Sequence, residues 1–143
     1  MYRIVKVCRF EAAHQLDRAY SAACSDTVHG HSYKVEVSLV SVCLDGDLMV
    51  VDLGHIGLFL RAMLEGWDHA LILSEKLAKE YRNTPNKKLV VLPASPTAEV
   101  MVREIYEALD EEVKKIPNEN GLRLERVRVW ETETGCAEYQ EVG

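Results

Sequence analysis

Residues 32–43, SYKVEVSLVSVC, alternate Val35, Val37 and Leu39 against Lys34, Glu36 and Ser38. Successive side chains of a strand point to opposite faces, so this alternation predicts a strand with one face in a core and the other in water. Upstream, residues 2–12 are rich in β-branched and aromatic positions and predict a second strand. Residues 13–31 between them contain SAACSD at 21–26, a loop composition. Downstream, Asp45-Gly46-Asp47 predicts a turn, and residues 48–53 (LMVVDL) a short strand or a continuation of the first.

Beyond that point the period changes. From Gly54 to Trp67 the apolar residues Ile56, Phe59, Leu60, Met63, Leu64 and Trp67 recur at helical spacing. A second helix is expected to start at Ser95-Pro96-Thr97, where hydroxyl residues and proline suit the cap and first turn. Its stripe is Ala98, Met101, Val102, Ile105, Leu109 and Val113, and Pro117 with Gly121 ends it. Residues 122–130 (LRLERVRVW) and 136–142 predict two further strands joined across Gly135. The long segment between the helices holds a candidate short strand at 89–92 and a candidate short charged helix at 75–82. The order is therefore ββ, α, short elements, α, ββ. That is an antiparallel α+β domain rather than a βαβ nucleotide fold. No repeat, low-complexity tract or linker divides the chain, so residues 1–143 are expected to form one domain.

Composition narrows the function classes. A chain of 143 residues, 48% hydrophobic and 28% charged, can bury a core without disulfide or metal staples. Its formal net charge of −6 argues against non-specific binding to nucleic acid or anionic membranes, both of which need a basic surface. The first residues lack the apolar run of a signal peptide, and no stretch approaches the ~20 apolar residues of a membrane span. Cys8, Cys24, Cys43 and Cys136 have no CxxC spacing, so free thiols and a cytoplasmic location are expected. Cys8, Cys43 and Cys136 lie in strand-like apolar settings and are expected to pack there.

The chemistry gathers around five histidines: His14, His29, His31, His55 and His69. His29-Gly30-His31 at the start of a strand offers two imidazoles on one face, and His14 at the end of the preceding strand can supply a third. Three neutral imidazoles with an open fourth position make a catalytic zinc site. A closed structural site wants a fourth ligand, for which Cys24 is available, and the alternative throughout is ordinary satisfied or surface histidines. Asp68 beside His69 can set the imidazole tautomer if the pair sits in a turn or helix end. The bland alternative is a helix-terminal histidine beside a solvated aspartate. Cys24, in a polar loop five residues before His29, is either an activated thiol or an inert loop cysteine.

These pieces resemble, in the same order, the 6-pyruvoyl-tetrahydropterin synthase / 6-carboxy-tetrahydropterin synthase family. The matching stretches are FEAAH at 10–14, Cys24 with HGHSY at 29–33, VVDL at 50–53, Asp68-His69, PTAE at 96–99 and Glu131-Thr132. The resemblance implies the T-fold (tunnelling fold), ββααββ with two helices on one face of an antiparallel sheet, closing into an oligomeric barrel. It implies a hexamer of two trimers with sites at subunit interfaces. By position, it makes His14, His29 and His31 zinc ligands, Cys24 the catalytic cysteine, and Asp68 with His69 the acid/base pair. Glu131 resembles the carboxylate that anchors the amino-pyrimidine edge of a pterin. Thr97 and Glu99 resemble secondary substrate contacts, with an ordinary helix cap as the alternative for Thr97.

The implied substrate is 7,8-dihydroneopterin triphosphate. The implied product is 6-carboxy-5,6,7,8-tetrahydropterin, formed with loss of triphosphate and acetaldehyde at the entry to 7-deazapurine (queuosine) synthesis. The alternatives are 6-pyruvoyl-tetrahydropterin synthesis and, less favoured, a non-catalytic zinc-binding relic of the fold. Cleavage of dihydroneopterin substrates is disfavoured because that variant resembles sequences with glutamate in place of the cysteine. Two features depart from the family pattern: four residues separate Cys24 from His29, and the segment between His69 and Pro96 is long. That segment is expected to decorate the surface.

Overall fold

The alternating row of residues 33–39 becomes the centre of the core: Tyr33, Val35, Val37 and Leu39 are all essentially inaccessible to water. The structure is a computed structural model and describes residues 1–85 and 87–142. In chain order its elements are β1 (Tyr2–His14), α1 (Ala22–Ser25), β2 (His29–Ser41), α2 (Leu53–Glu65) and β3 (Ala70–Ser74). They continue as α3 (Glu75–Ala78), β4 (Leu89–Leu92), α4 (Ala98–Lys114), β5 (Arg123–Thr132) and β6 (Gly135–Tyr139). The strands form one sheet in the order β4-β3-β1-β2-β5-β6.

The frame of this sheet is antiparallel. β1 pairs with β2 from Tyr2↔Ser41 to His14↔His29, β2 with β5, and β5 with β6. Ile56, Leu60 and Leu64 of α2 and Met101, Val102, Ile105 and Leu109 of α4 pack in one cluster with Phe10, Tyr33, Val35, Val127 and Val129. Both long helices therefore cover the same, inner face of the sheet, where burying their apolar stripes stabilises them far more than intrinsic propensity does. Each is capped as its sequence allows. Asp52 Oδ1 accepts the Gly54 N–H at 2.7 Å, and Thr97 Oγ1 accepts the Val100 N–H at 3.2 Å.

Three elements differ from the sequence-based expectation. Residues 48–53 form no strand, because Asp45 Oδ1 accepts the N–H groups of both Asp47 and Met49 and folds the segment into a closed loop. Residues 70–74 (ALILS) form β3, buried along its whole length. A strand covered on both faces shows no alternation, so its periodicity is silent. Finally, β3 joins β1, and β4 joins β3, in parallel, extending the antiparallel frame from the long segment between the helices. There Leu71, Leu73 and Ala78 make a second, smaller core with Ala13, Leu77, Tyr81 and Leu89. Much of the segment expected to decorate the surface is thus structural: the strand at 89–92 forms as expected, and the charged stretch at 75–82 contributes the single turn α3.

Candidate metal centre

The pairing His14↔His29 ends the β1–β2 ladder and puts both residues on the inner face, in line with Phe10, Ala12 and Tyr33. His31, two residues along β2, shares that face. The ring centroids of His14, His29 and His31 lie 4.6–5.1 Å apart. One nitrogen from each falls within 4.8 Å of the other two, a group able to hold a metal ion.

Hydrogen bonds fix which nitrogen is free. His14 Nδ1 lies 2.9 Å from the Pro96 carbonyl, and His29 Nδ1 lies 3.0 Å from the Thr27 carbonyl. A carbonyl only accepts, so each Nδ1 carries the proton and each Nε2 is left with a lone pair. Yet these two Nε2 atoms face each other at 3.0 Å. His31 Nε2 is buried with no hydrogen-bond partner among the described residues. Protonating an imidazole would relieve the clash, but burial pushes the pKa of both His14 and His31 down. A cation bound by neutral imidazoles satisfies all three, so the residues present fit a metal ion.

Asp68 and His69 form the pair expected of a turn. Asp68 Oδ2 lies 3.0 Å from His69 Nδ1, and Asp68 Oδ1 accepts the Glu11 N–H at 2.8 Å. The Glu11 N–H, and then the His69 ring, hold the Asp68 carboxyl below the usual carboxylate range. His69 has φ 58°, uncommon for a residue with a Cβ, and its N–H donates to the Glu11 carbonyl at 2.5 Å. Lys88 clamps the turn from behind, donating from Nζ to the Asp68 carbonyl at 2.7 Å and to the Glu65 carbonyl.

The structure does not bring this pair to the three histidines. His69 follows the outer face of the sheet with Glu11, whose carboxylate accepts from Ser32 Oγ at 2.7 Å, whereas the histidine cluster is on the inner face. A pocket of about 390 Å³ is lined by Glu11, Gly30, Ser32 and His69, its wall reaching His31. Cys24, in α1, lies outside the three-histidine group, and its carbonyl accepts the Leu16 N–H at 2.9 Å. Cys24 is half-buried, while Cys43 and Cys136 are exposed, correcting the expectation that those two are packed. Both sit near strand ends, where an apolar pattern no longer implies cover.

Thr97, Glu99 and Glu131 do come together, lining a second pocket of about 420 Å³ with Thr132 and Cys136. Thr97 is the cap of α4, and its hydroxyl is engaged there. Glu131 reaches from this pocket to the histidines: its Oε1 is 3.2 Å from His14 Nε2 and 3.6 Å from His31 Nε2. Sequence reasoning missed the Pro96 and Thr27 carbonyls, which carry no side-chain signal. It also missed Lys88, whose only signal was its place in the long inserted segment.

These features define an α+β protein with a part-buried three-imidazole cluster at one end of its sheet and a carboxylate–imidazole pair on the opposite face. The family model described as 6-pyruvoyl tetrahydropterin synthase matches residues 3–142, and the chain belongs to that family. It is 28% identical to a 6-carboxy-5,6,7,8-tetrahydropterin synthase of Aquifex aeolicus, with 98% of each chain covered. It is 29% identical to the protein of that name from Haemophilus influenzae, covering 99% of this chain and 100% of the relative. The 6-pyruvoyl tetrahydropterin synthase structure from Caenorhabditis elegans superposes with a TM-score of 0.67 at 25% identity, covering 99% of this chain and 96% of that one. The fold is the T-fold. Among the described residues no helix is long and apolar enough to cross a membrane.

Proposed function

We propose that residues 1–143 act as a single T-fold domain with 6-carboxy-5,6,7,8-tetrahydropterin synthase activity. It converts 7,8-dihydroneopterin triphosphate to 6-carboxy-tetrahydropterin with loss of triphosphate and acetaldehyde. The observation that carries this reading is the part-buried His14–His29–His31 cluster, with at least two Nε2 lone pairs directed inward, in a chain of this family. The Aquifex and Haemophilus relatives, both named as 6-carboxy-5,6,7,8-tetrahydropterin synthases, favour the carboxy product. The family description and the Caenorhabditis structure favour the second reading, 6-pyruvoyl-tetrahydropterin synthesis.

In this reading zinc, held by the three histidines, supplies Lewis-acid polarisation of the substrate's side-chain hydroxyls. Cys24 takes a proton on one side of that side chain. Asp68, kept ionised by the Glu11 N–H, holds His69 Nδ1 so that Nε2 is free to take or return a proton on the other. Glu131 accepts from the 2-amino and ring N–H groups of the pterin, and Thr97 and Glu99 line the same pocket. Because the imidazole cluster and the Asp68–His69 pair occupy opposite faces, a working site draws them from different chains. The reading therefore includes a homo-oligomer, with a hexamer of two trimers as the family-derived form. The open edges of β4 and β6 are available for the contacts between chains.

The deciding experiment incubates the zinc-loaded protein with 7,8-dihydroneopterin triphosphate and identifies products by mass spectrometry. The expected products are 6-carboxy-tetrahydropterin, triphosphate and acetaldehyde. A pyruvoyl product selects the second reading, and recovery of unchanged substrate rejects both.

A further inference from the structure

The apolar inner-face row of β5, Val127 and Val129, continues into Glu131 at the strand's end. Its carboxylate oxygen lies 3.2 Å from His14 Nε2, which has no proton to offer, and 3.6 Å from His31 Nε2. His14 Nε2 bears a lone pair because Nδ1 donates to Pro96, and His31 Nε2 has no hydrogen-bond partner among the described residues. The carboxylate set against the His14 lone pair is repulsive as it stands, and His14 Nε2 also faces His29 Nε2 at 3.0 Å. The separations, however, match those of ligands around one ion. Bonds of ~2.0–2.1 Å in a tetrahedron put neighbouring ligand atoms ~3.3 Å apart. The three contacts, 3.0 Å from His14 to His29 and 3.2 and 3.6 Å to Glu131, scatter about that edge.

We propose that Glu131 is a fourth protein ligand to the ion held by His14, His29 and His31, closing the centre in the resting protein. The inference rests on the metal-centre reading above and changes the picture of an open fourth position. It gives the closing role to a carboxylate from β5 rather than to Cys24, which lies outside the group. The Glu131 side chain is about one-third exposed and lines the 420 Å³ pocket with Thr97 and Glu99. A ligand arriving there competes for the same carboxylate, so occupancy of the pocket opens the ion to coordination. Until then the ion has no free position for water or adventitious anions.

The test uses the full-length protein loaded with cobalt(II), whose visible spectrum reports coordination, and sodium azide as the probe of an open position. The wild-type spectrum is expected to stay unchanged on azide addition. Glu131→Gln is expected to show an altered spectrum, an azide-dependent shift, and a metal affinity weaker by at least the ~10–100-fold that even an outer partner contributes. His29→Ala is the control for the centre itself. If His29→Ala keeps cobalt with wild-type affinity, the metal-centre reading fails. If His29→Ala loses cobalt while Glu131→Gln matches wild type in affinity, spectrum and azide response, this inference alone fails. Azide binding to the wild-type cobalt protein overturns it equally, and needs no variant to fold.

Discussion

Chains carrying His31→Ala and chains carrying His69→Ala, each expected to be inactive alone, should restore activity when assembled together. The reason lies in the sheet. His31 shares the inner face with His14 and Tyr33, whereas His69 stands beside Glu11, whose carboxylate accepts from Ser32 on the outer face. The His31 imidazole turns into the cluster on the inner face and His69 stands on the outer one, so in the proposed function the metal centre and the Asp68–His69 pair of one chain serve different sites. In the proposed oligomer each site takes its histidine cluster from one chain and its Asp68–His69 pair from a neighbour. In an equal mixture, a site is intact only when the cluster comes from a His69→Ala chain and the pair from a His31→Ala chain. Each condition holds half the time, so about a quarter of the sites, and about a quarter of wild-type activity per site, should return in a head-to-tail assembly. Co-expression with two different tags, followed by two successive affinity steps, isolates the mixed oligomers for the product assay. His69→Gly is a useful second partner, because glycine accepts the φ of 58° at that position without a Cβ penalty. Verified mixed oligomers that stay as inactive as their parents would show that both groups act from one chain, and the two-face reasoning would be wrong.

Other perturbations separate metal, catalysis and stability. His29→Ala should purify with little zinc by elemental analysis yet keep its circular dichroism spectrum, because the core of Tyr33, Val35, Leu60 and Ile105 does not depend on the ion. Cys24→Ala should lower turnover by ~10²–10⁴, the usual contribution of a positioned acid/base group, while pterin binding measured by fluorescence survives. Lys88→Met removes the donor to the Asp68 and Glu65 carbonyls and should lower turnover by ~10–100-fold through misplacement of the turn, with zinc content unchanged. Gly121→Ala should cost roughly 1–3 kcal/mol in urea unfolding, since the position has a φ of 74° and a Cβ would stand 2.9 Å from Val42 Cγ2.

The fold was legible where one face of an element is wet and the other dry. The alternation at 32–43 and the helical stripes at 56–67 and 98–113 each record a boundary between core and water, and each became the element expected. The strand at 70–74 was invisible for the converse reason: with α3 and the second core covering its outer face, no boundary runs along it. The loop at 45–49 departs from expectation because a local carboxylate–amide contact outcompetes the β propensity of its neighbours. The candidate site divides along the same line. Two histidines on one strand and a third opposite them follow from strand period and hairpin pairing, so the His14–His29–His31 cluster could be anticipated from spacing. Whether Asp68–His69 meets that cluster depends on which face β3 presents beside β1, a property of tertiary pairing that no local pattern encodes. Glu131 shows the limit most clearly. One position along β5 decides whether a side chain follows Trp130 outward or Val129 inward, and following Val129 carries this carboxylate to two imidazoles from the other end of the chain. The same inward row that makes β5 a core strand therefore also delivers an acidic group able to complete the centre, which ties the packing of the sheet directly to the chemistry at its end.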